Sequence, residues 1–219
     1  MDKKLLVEFS QIIGCDEVGR GPIAGPVTAC AVVVKKDSLG LIDYLHQLGV
    51  TDSKKLTERK RKNILAHLGI DFLNLELNQI YSKDIVGYCF QFCLFEHTPQ
   101  QIDQMNILQA SLSAMKNAAV GFENESSLIL IDGNKVFDSK SQVQAVIKGD
   151  SKSVVIGMAS VIAKVFRDEK MKYLDTVYPG YLLGKHAGYP TKEHKLAVKK
   201  LGPSPIHRKT FKGVKEFLC

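Results

Sequence analysis

The chain has 219 residues, 45% of them hydrophobic and 24% charged, with a formal net charge of +7. That length and composition support one substantial core and exclude a largely disordered chain, while no apolar run approaches the ~20 residues of a membrane-spanning helix. The positive balance fits a polyanionic partner.

Near the start, the apolar residues Ile12, Ile13 and Cys15 lead into adjacent carboxylates, Asp16 and Glu17, and then into the turn Gly19-Arg20-Gly21. This spacing predicts a buried strand with both carboxylates at its end, where pairing need not separate consecutive side chains as a regular strand would. Glycines let the backbone approach a ligand, and Arg20 adds a rigid fork of donors for phosphate oxygens. Val27 to Val34 is a continuous apolar run of the kind covered on both faces of a sheet. A helix is predicted from a Thr57 cap through Ile64, Leu65 and Leu68 to a Gly69 stop. Leu73, Leu75 and Leu77 alternate with Asn74, Glu76 and Asn78, which predicts an antiparallel strand. The aromatic segment Ile85 to His97 reads either as a buried helix or as an exposed apolar patch.

Downstream, Leu108, Leu112, Met115 and Ala119 form a helical core stripe ending at Gly121. Short strands are predicted at Leu128 to Ile131 and in QVQAVIKGD, placing Asp132 and Asp150 at C-terminal strand ends, where open α/β sheets bind ligands. A long helix follows, with Val154, Met158, Val161 and Val165 facing the core. Beyond Pro179 the sequence turns basic, with glycine and proline punctuation.

Cysteines 15, 30, 89, 93 and 219 are odd in number and lack zinc-knuckle spacing, so reduced thiols are expected. MDKKLLVEFSQ has only three consecutive apolar residues, short of a secretory signal, and a cytoplasmic protein is expected. The six histidines, among them His186 and His194, are spread along the chain and are assigned surface or substrate-facing roles.

Asp16, Glu17, Asp132 and Asp150 converging on one point would repel one another unless divalent cations neutralised them. An all-oxygen donor set suits magnesium or manganese. The segments DEVGRGPIAGPV, DSKKLTERKR, NILQASLSAM, IDGN, GDSKSV with IGMASVIAKVFRD, HAGYPTKEH and GPSPIHRKTF resemble the ordered motif series of bacterial ribonuclease HII, over most of residues 12 to 211.

The resemblance implies an α/β fold: an RNase H-like mixed five-stranded sheet flanked by helices, as a catalytic core over residues 1–180, with a basic C-terminal helical extension at 181–219 packed on it in one structural domain. It assigns Asp16, Glu17, Asp132 and Asp150 as catalytic ligands of two Mg2+ or Mn2+ ions. It further assigns Gly19, Arg20 and Gly21 to sensing the 2′-hydroxyl at an RNA to DNA junction, and Tyr189 to stacking on the neighbouring sugar. Lys54 and Arg208, with Lys55 and Lys209, are expected to attract phosphates. The implied activity is hydrolysis of RNA in RNA/DNA hybrids, and cleavage 5′ of single ribonucleotides in duplex DNA, by a monomer that leaves 3′-hydroxyl and 5′-phosphate ends. Asp168 is assigned a structural role, in a salt bridge or in its helix. Gly157, Met158, Phe166 and Ala187 depart from the family pattern, and none of them is an implied metal ligand. Two other readings stand beside this one: a nucleic-acid binder without chemistry, against which the intact acidic set argues, and a phosphoryl-transfer enzyme related to integrases and resolvases, which should lack the GRG turn and the late tyrosine motif.

Overall fold

Side-chain alternation along the first strand sets the layers. In the computed structural model, which describes residues 1–218, β1 (Gln11–Val18) sends Ile12 into one apolar core and Ile13 and Cys15 into another. The antiparallel β2 (Val27–Lys35) divides the same way, with Cys30, Val32 and Val34 on the first side and Ala29, Ala31 and Val33 on the second. A strand covered on both faces has to be apolar throughout, which accounts for the unbroken Val27 to Val34 run.

The elements between are α1 (Asp2–Glu8), before β1, then α2 (Gly40–Gln47), α3 (Glu58–His67), β3 (Ile80–Ile85), β4 (Tyr88–His97), α4 (Pro99–Met105) and α5 (Ile107–Ala119). They are followed by β5 (Ser127–Asp132), β6 (Gln142–Val146), α6 (Gly149–Lys152), α7 (Val154–Val177), α8 (Leu183–His186) and α9 (Lys192–Leu201). Strands lie in the order β3-β4-β2-β1-β5-β6; the β1-β5 and β5-β6 pairs are parallel and the others antiparallel. The sheet is mixed and flanked by helices as expected, but it has six strands where five were anticipated.

Two local predictions account for that difference. Residues 73–77 are not a strand: Asp71 accepts from the Leu73 amide and the Asn74 side chain, and the Tyr81 hydroxyl takes the Glu76 amide, so ladder donors are captured locally. Leu75 and Leu77 pack on the core from a loop, while Leu73 is 69% exposed. The aromatic segment is neither helix nor surface patch. It is β4, with Phe90, Phe92 and Leu94 on the first core and Cys93 and Phe95 on the second. The β3–β4 hairpin turns through Val86 and Gly87 at φ 54° and 78°, a type I′ pattern in which valine is a poor occupant.

The helices follow their sequence signals more closely. Thr57 caps α3 by accepting from the Lys60 amide, and Ser153 caps α7 by accepting from Ile156. α7, α2 and α3 cover the first core, and α5 covers the second with Ala114, Met115, Ala118 and Ala119. The first turn of α7 lies directly on β1: a Cβ at Gly14 would come within 2.6 Å of the backbone of Val155 and Ile156. Asp2 secures the same helix end by accepting from the Val154 amide at 2.7 Å. A third cluster joins Ile23 and Ala24 to Met171, Leu183, Val198 and Val214, so the C-terminal segment packs on the end of α7 and on the loop after β1. Among the described residues no helix is long and apolar enough to cross a membrane.

Candidate metal centre and nucleic-acid cleft

Asp16 stands one residue beyond the last β1–β5 pair, Cys15–Ile131, while β1 continues against β2 to Val18. Asp132 closes β5, and its Oδ1 accepts the Gly149 amide at 2.6 Å. Asp150 sits in α6, the single turn after β6, and not on a strand end as expected. One carboxylate oxygen from each of Asp16, Asp132 and Asp150 lies within 4.8 Å of the others. Glu17 stands outside this trio. β1 stays regular through Glu17–Ala29, so Glu17 points to the face opposite Asp16, contrary to the expectation that pairing would relax there. Its carboxylate meets Arg20 Nη1 at 3.5 Å and borders a small cavity shared with Asp132, Ser111 and Asn134.

The crowding has an electrostatic cost. Burial and then neighbouring Glu17 push the Asp16 carboxyl well above its usual range, with partial relief from the Ser160 hydroxyl. Burial raises Glu17 to about 7 against the pull of Arg20, and burial together with Asp132 raises Asp150. Three gathered carboxylates, with Asp16 and Asp150 held toward the protonated form, make a donor set suited to a hard divalent cation. With no histidine or cysteine among them, the trio fits magnesium or manganese better than zinc.

A cleft of about 310 Å³ opens beside this centre, lined by Asp16, Glu17, Gly19, Arg20, Lys54 and Tyr189 among others. The structure thus sets Lys54 and the whole GRG turn beside Asp16 and Glu17 in one cleft. Lys54 is partly buried there, and although burial opposes it, Asp16, Asp52, Asp150 and Asp132 raise its ammonium pKa overall. Tyr189 is 40% exposed and its ring packs on Gly21, where a Cβ would lie 3.2 Å from it. Gly19 holds φ +98°, and a side chain there would strike Arg167 and the Pro26 carbonyl.

Arg208 differs from expectation. It is fully buried, so it is not a phosphate contact; all five of its N–H directions are spent on backbone. Nε donates to the Gly25 carbonyl, Nη1 to those of Arg20 and Pro22, and Nη2 to those of Gly19 and Pro26. Arg167, also buried, donates to the carbonyls of Ala24, Pro26 and Ala187, tying the GRG loop to the Tyr189 segment. Burial lowers Arg208 to about 9 and Arg167 to about 10, leaving both charged at neutral pH. A guanidinium ringed by carbonyl dipoles satisfies the hydrogen-bonding demand of a buried polar loop in one side chain.

The histidines also depart from the sequence reading, because three of them cluster, His194 and His207 buried and His186 partly so. The Ser204 amide donates to His207 Nδ1 at 3.0 Å, which requires His207 Nε2 to carry the proton given to His194 Nε2 at 3.1 Å. His194 Nδ1–H then donates to the Tyr189 carbonyl at 2.9 Å, and His186 stacks on His194 with ring centres 4.4 Å apart. Burial lowers both His194 and His207 to about 4, so the relay is neutral and holds the tyrosine backbone.

The basic residues between Lys54 and Lys62 divide by function. Arg61 is buried, donating to the Ser53 and Leu56 carbonyls and pairing with Asp168 at 3.4 Å, which bears out the structural role assigned to Asp168. Lys62 pairs with Glu58 and Glu169. Ser53, missed in the sequence, lines the cleft and bonds Ser160 at 2.8 Å, steadying the loop that carries Lys54.

Comparison with known proteins agrees with this geometry. The family model described as Ribonuclease HII matches residues 13–214. A ribonuclease HII from Francisella tularensis subsp. tularensis is 41% identical over 207 residues, covering 94% of this chain and 98% of the relative. The crystal structure of ribonuclease H2 from Pyrococcus horikoshii superimposes with a TM-score of 0.69 at 25% identity, covering 94% and 96% of the two chains. A structure of Bst-RNase HIII in complex with Mn2+ shares the fold, with a TM-score of 0.63 at 18% identity, covering 97% of this chain and 71% of that one.

Proposed function

The chain belongs to the ribonuclease HII family, and from that premise we propose that this ribonuclease H, an endonuclease of RNA/DNA hybrids, also cuts duplex DNA on the 5′ side of a single embedded ribonucleotide, leaving 3′-hydroxyl and 5′-phosphate ends. The observation that carries this reading is the adjacency of the Asp16, Asp132 and Asp150 trio to a cleft walled by the GRG turn and Tyr189.

Asp16, Asp132 and Asp150 would hold divalent magnesium or manganese, two ions in the proposed mechanism, with Glu17 contributing from the opposite strand face. Bound there, such ions supply an activated water and neutralise charge on the leaving oxygen. The side chains do the rest. Lys54, held among the carboxylates, offsets the negative charge of an entering phosphate. Arg20, half exposed at the cleft and 3.5 Å from Glu17, presents its guanidinium to the backbone of the duplex. Tyr189, with its carbonyl fixed by His194 and its ring against Gly21, supplies an apolar face for a sugar. A 2′-hydroxyl both donates and accepts hydrogen bonds, so backbone groups of the Gly19–Gly21 turn suffice to tell ribose from deoxyribose.

Incubating the protein with a DNA duplex carrying one ribonucleotide, beside an all-DNA control, in magnesium and in manganese, tests the reading. Cleavage only 5′ to the ribonucleotide is expected. Cleavage of the all-DNA duplex, or no cleavage beside ready hydrolysis of a long hybrid, would refute it.

A further inference from the structure

The GRG turn is shaped from behind. Arg208 lies in the segment after α9, 182 to 189 residues from the loop it holds, and bonds five carbonyls between Gly19 and Pro26. Two of these matter for the cleft: Nη2 to the Gly19 carbonyl at 2.6 Å and Nη1 to the Arg20 carbonyl at 3.1 Å. A trans peptide is planar, with its N–H opposed to its C=O. Drawing the Gly19 and Arg20 carbonyls inward to Arg208 therefore turns the amides of Arg20 and Gly21 outward. Among the described residues neither amide has a protein acceptor. The outward side is the cleft lined by Gly19, Arg20, Gly21, Lys54 and Tyr189.

We propose that Arg208 is a positioning residue for ribonucleotide recognition: its buried guanidinium presets the Arg20 and Gly21 amides as a pair of donors facing the ribose and its phosphate. The role rests on the ribonucleotide-specific reading above. It gives a buried arginine on a distant segment a part in selectivity without contact with the substrate. Lysine cannot replace it, because an ammonium offers three donors from one atom and cannot span five carbonyls spread over eight residues.

The test is equilibrium binding, read by fluorescence anisotropy, in an Asp132→Asn background that prevents turnover. Affinities are compared for a duplex with one ribonucleotide and for the same duplex in all-DNA form. Arg208→Lys is expected to reduce the preference for the ribonucleotide about tenfold, as for two weakened hydrogen bonds, with all-DNA binding little changed. Leu65→Ala, which opens the core beneath α3 away from the turn, should lower thermal stability yet keep the preference. In the protein retaining Arg208, NMR signals of the Arg20 and Gly21 amides should shift with the ribonucleotide duplex and not with all-DNA. This measurement stands even where Arg208→Lys fails to fold. Undiminished preference in Arg208→Lys, or equal amide shifts on both duplexes, would overturn the positioning role alone. Equal affinity of the Arg208 protein for the two duplexes would overturn the ribonucleotide reading and the proposal with it.

Discussion

The two walls of the cleft solve opposite electrostatic problems. On the sheet side, Asp16, Asp132 and Asp150 are gathered with too little positive charge nearby, and burial pushes Asp16 and Asp150 toward the protonated form. On the loop side, the buried guanidiniums of Arg208 and Arg167 make eight backbone carbonyl contacts and stay charged at neutral pH, so their hydrogen bonding is met without a ligand. One wall is strained until something binds; the other is finished at folding. Removing a group should therefore relieve the first wall and damage the second.

The largest effect expected is on turnover. Asp132→Asn keeps the side chain's shape but removes a charge from the trio, and should lower kcat on the order of 10³-fold or more, measured on a ribonucleotide-bearing duplex. Near-native turnover would remove Asp132 from the reaction. Next comes Arg208→Lys, which leaves at least one of the five carbonyls without a donor even with Arg167 still serving Pro26, and should cost about 1–3 kcal/mol of stability by denaturant titration. The reverse sign is expected for Asp16→Asn without metal, a gain of about 0.5–2 kcal/mol accompanied by lost activity. A loss of stability would show that the carboxylate wall is not strained.

The pH dependence sharpens the same contrast. Glu17 titrates at about 7 in the folded protein against an ordinary value of 4.5, so between those pH values the folded state binds more protons than the unfolded chain. Metal-free stability should accordingly fall as pH rises from about 4.5 to 7 and level off above, with added magnesium restoring it on the alkaline side. Calorimetry in EDTA and in magnesium reads both limbs. The smallest effect is expected at the Lys62, Lys172, Glu58 and Glu169 ring joining α3 to α7: Lys172→Ala should cost no more than about 1 kcal/mol, because these pairs remain partly open to solvent.

How much of this was legible in the sequence depended on how local its cause is. Helix α3 announces itself through Thr57, α7 through its periodic apolar face, and β2 through its continuous β-branched run. The β3–β4 hairpin was hidden because its turn places Val86 where glycine or asparagine is the usual signal. The Leu73 to Leu77 alternation misled because side chains of Asp71 and Tyr81, not a partner strand, take the backbone donors. In the site, acidic residues after apolar runs gave Asp16 and Asp132 their places. The opposite facing of Glu17 followed from plain strand alternation that the adjacent carboxylates made easy to set aside. Arg208 and the His194–His207 relay were not readable as structural, because their partners are carbonyls and rings on distant segments, and a basic residue carries no mark of whether water or backbone will surround it.

The bare Cα at Gly14 has a consequence for the chemistry two residues along. Because nothing but hydrogen separates that strand from the opening turn of α7, and α6 with Asp150 leads straight into that turn, the segment bearing Asp16 and the segment bearing Asp150 are clasped into one rigid frame. Breathing of the sheet then carries both carboxylates together instead of parting them. An alanine at this point would wedge the frame open and alter the spacing of the trio without touching any of its members.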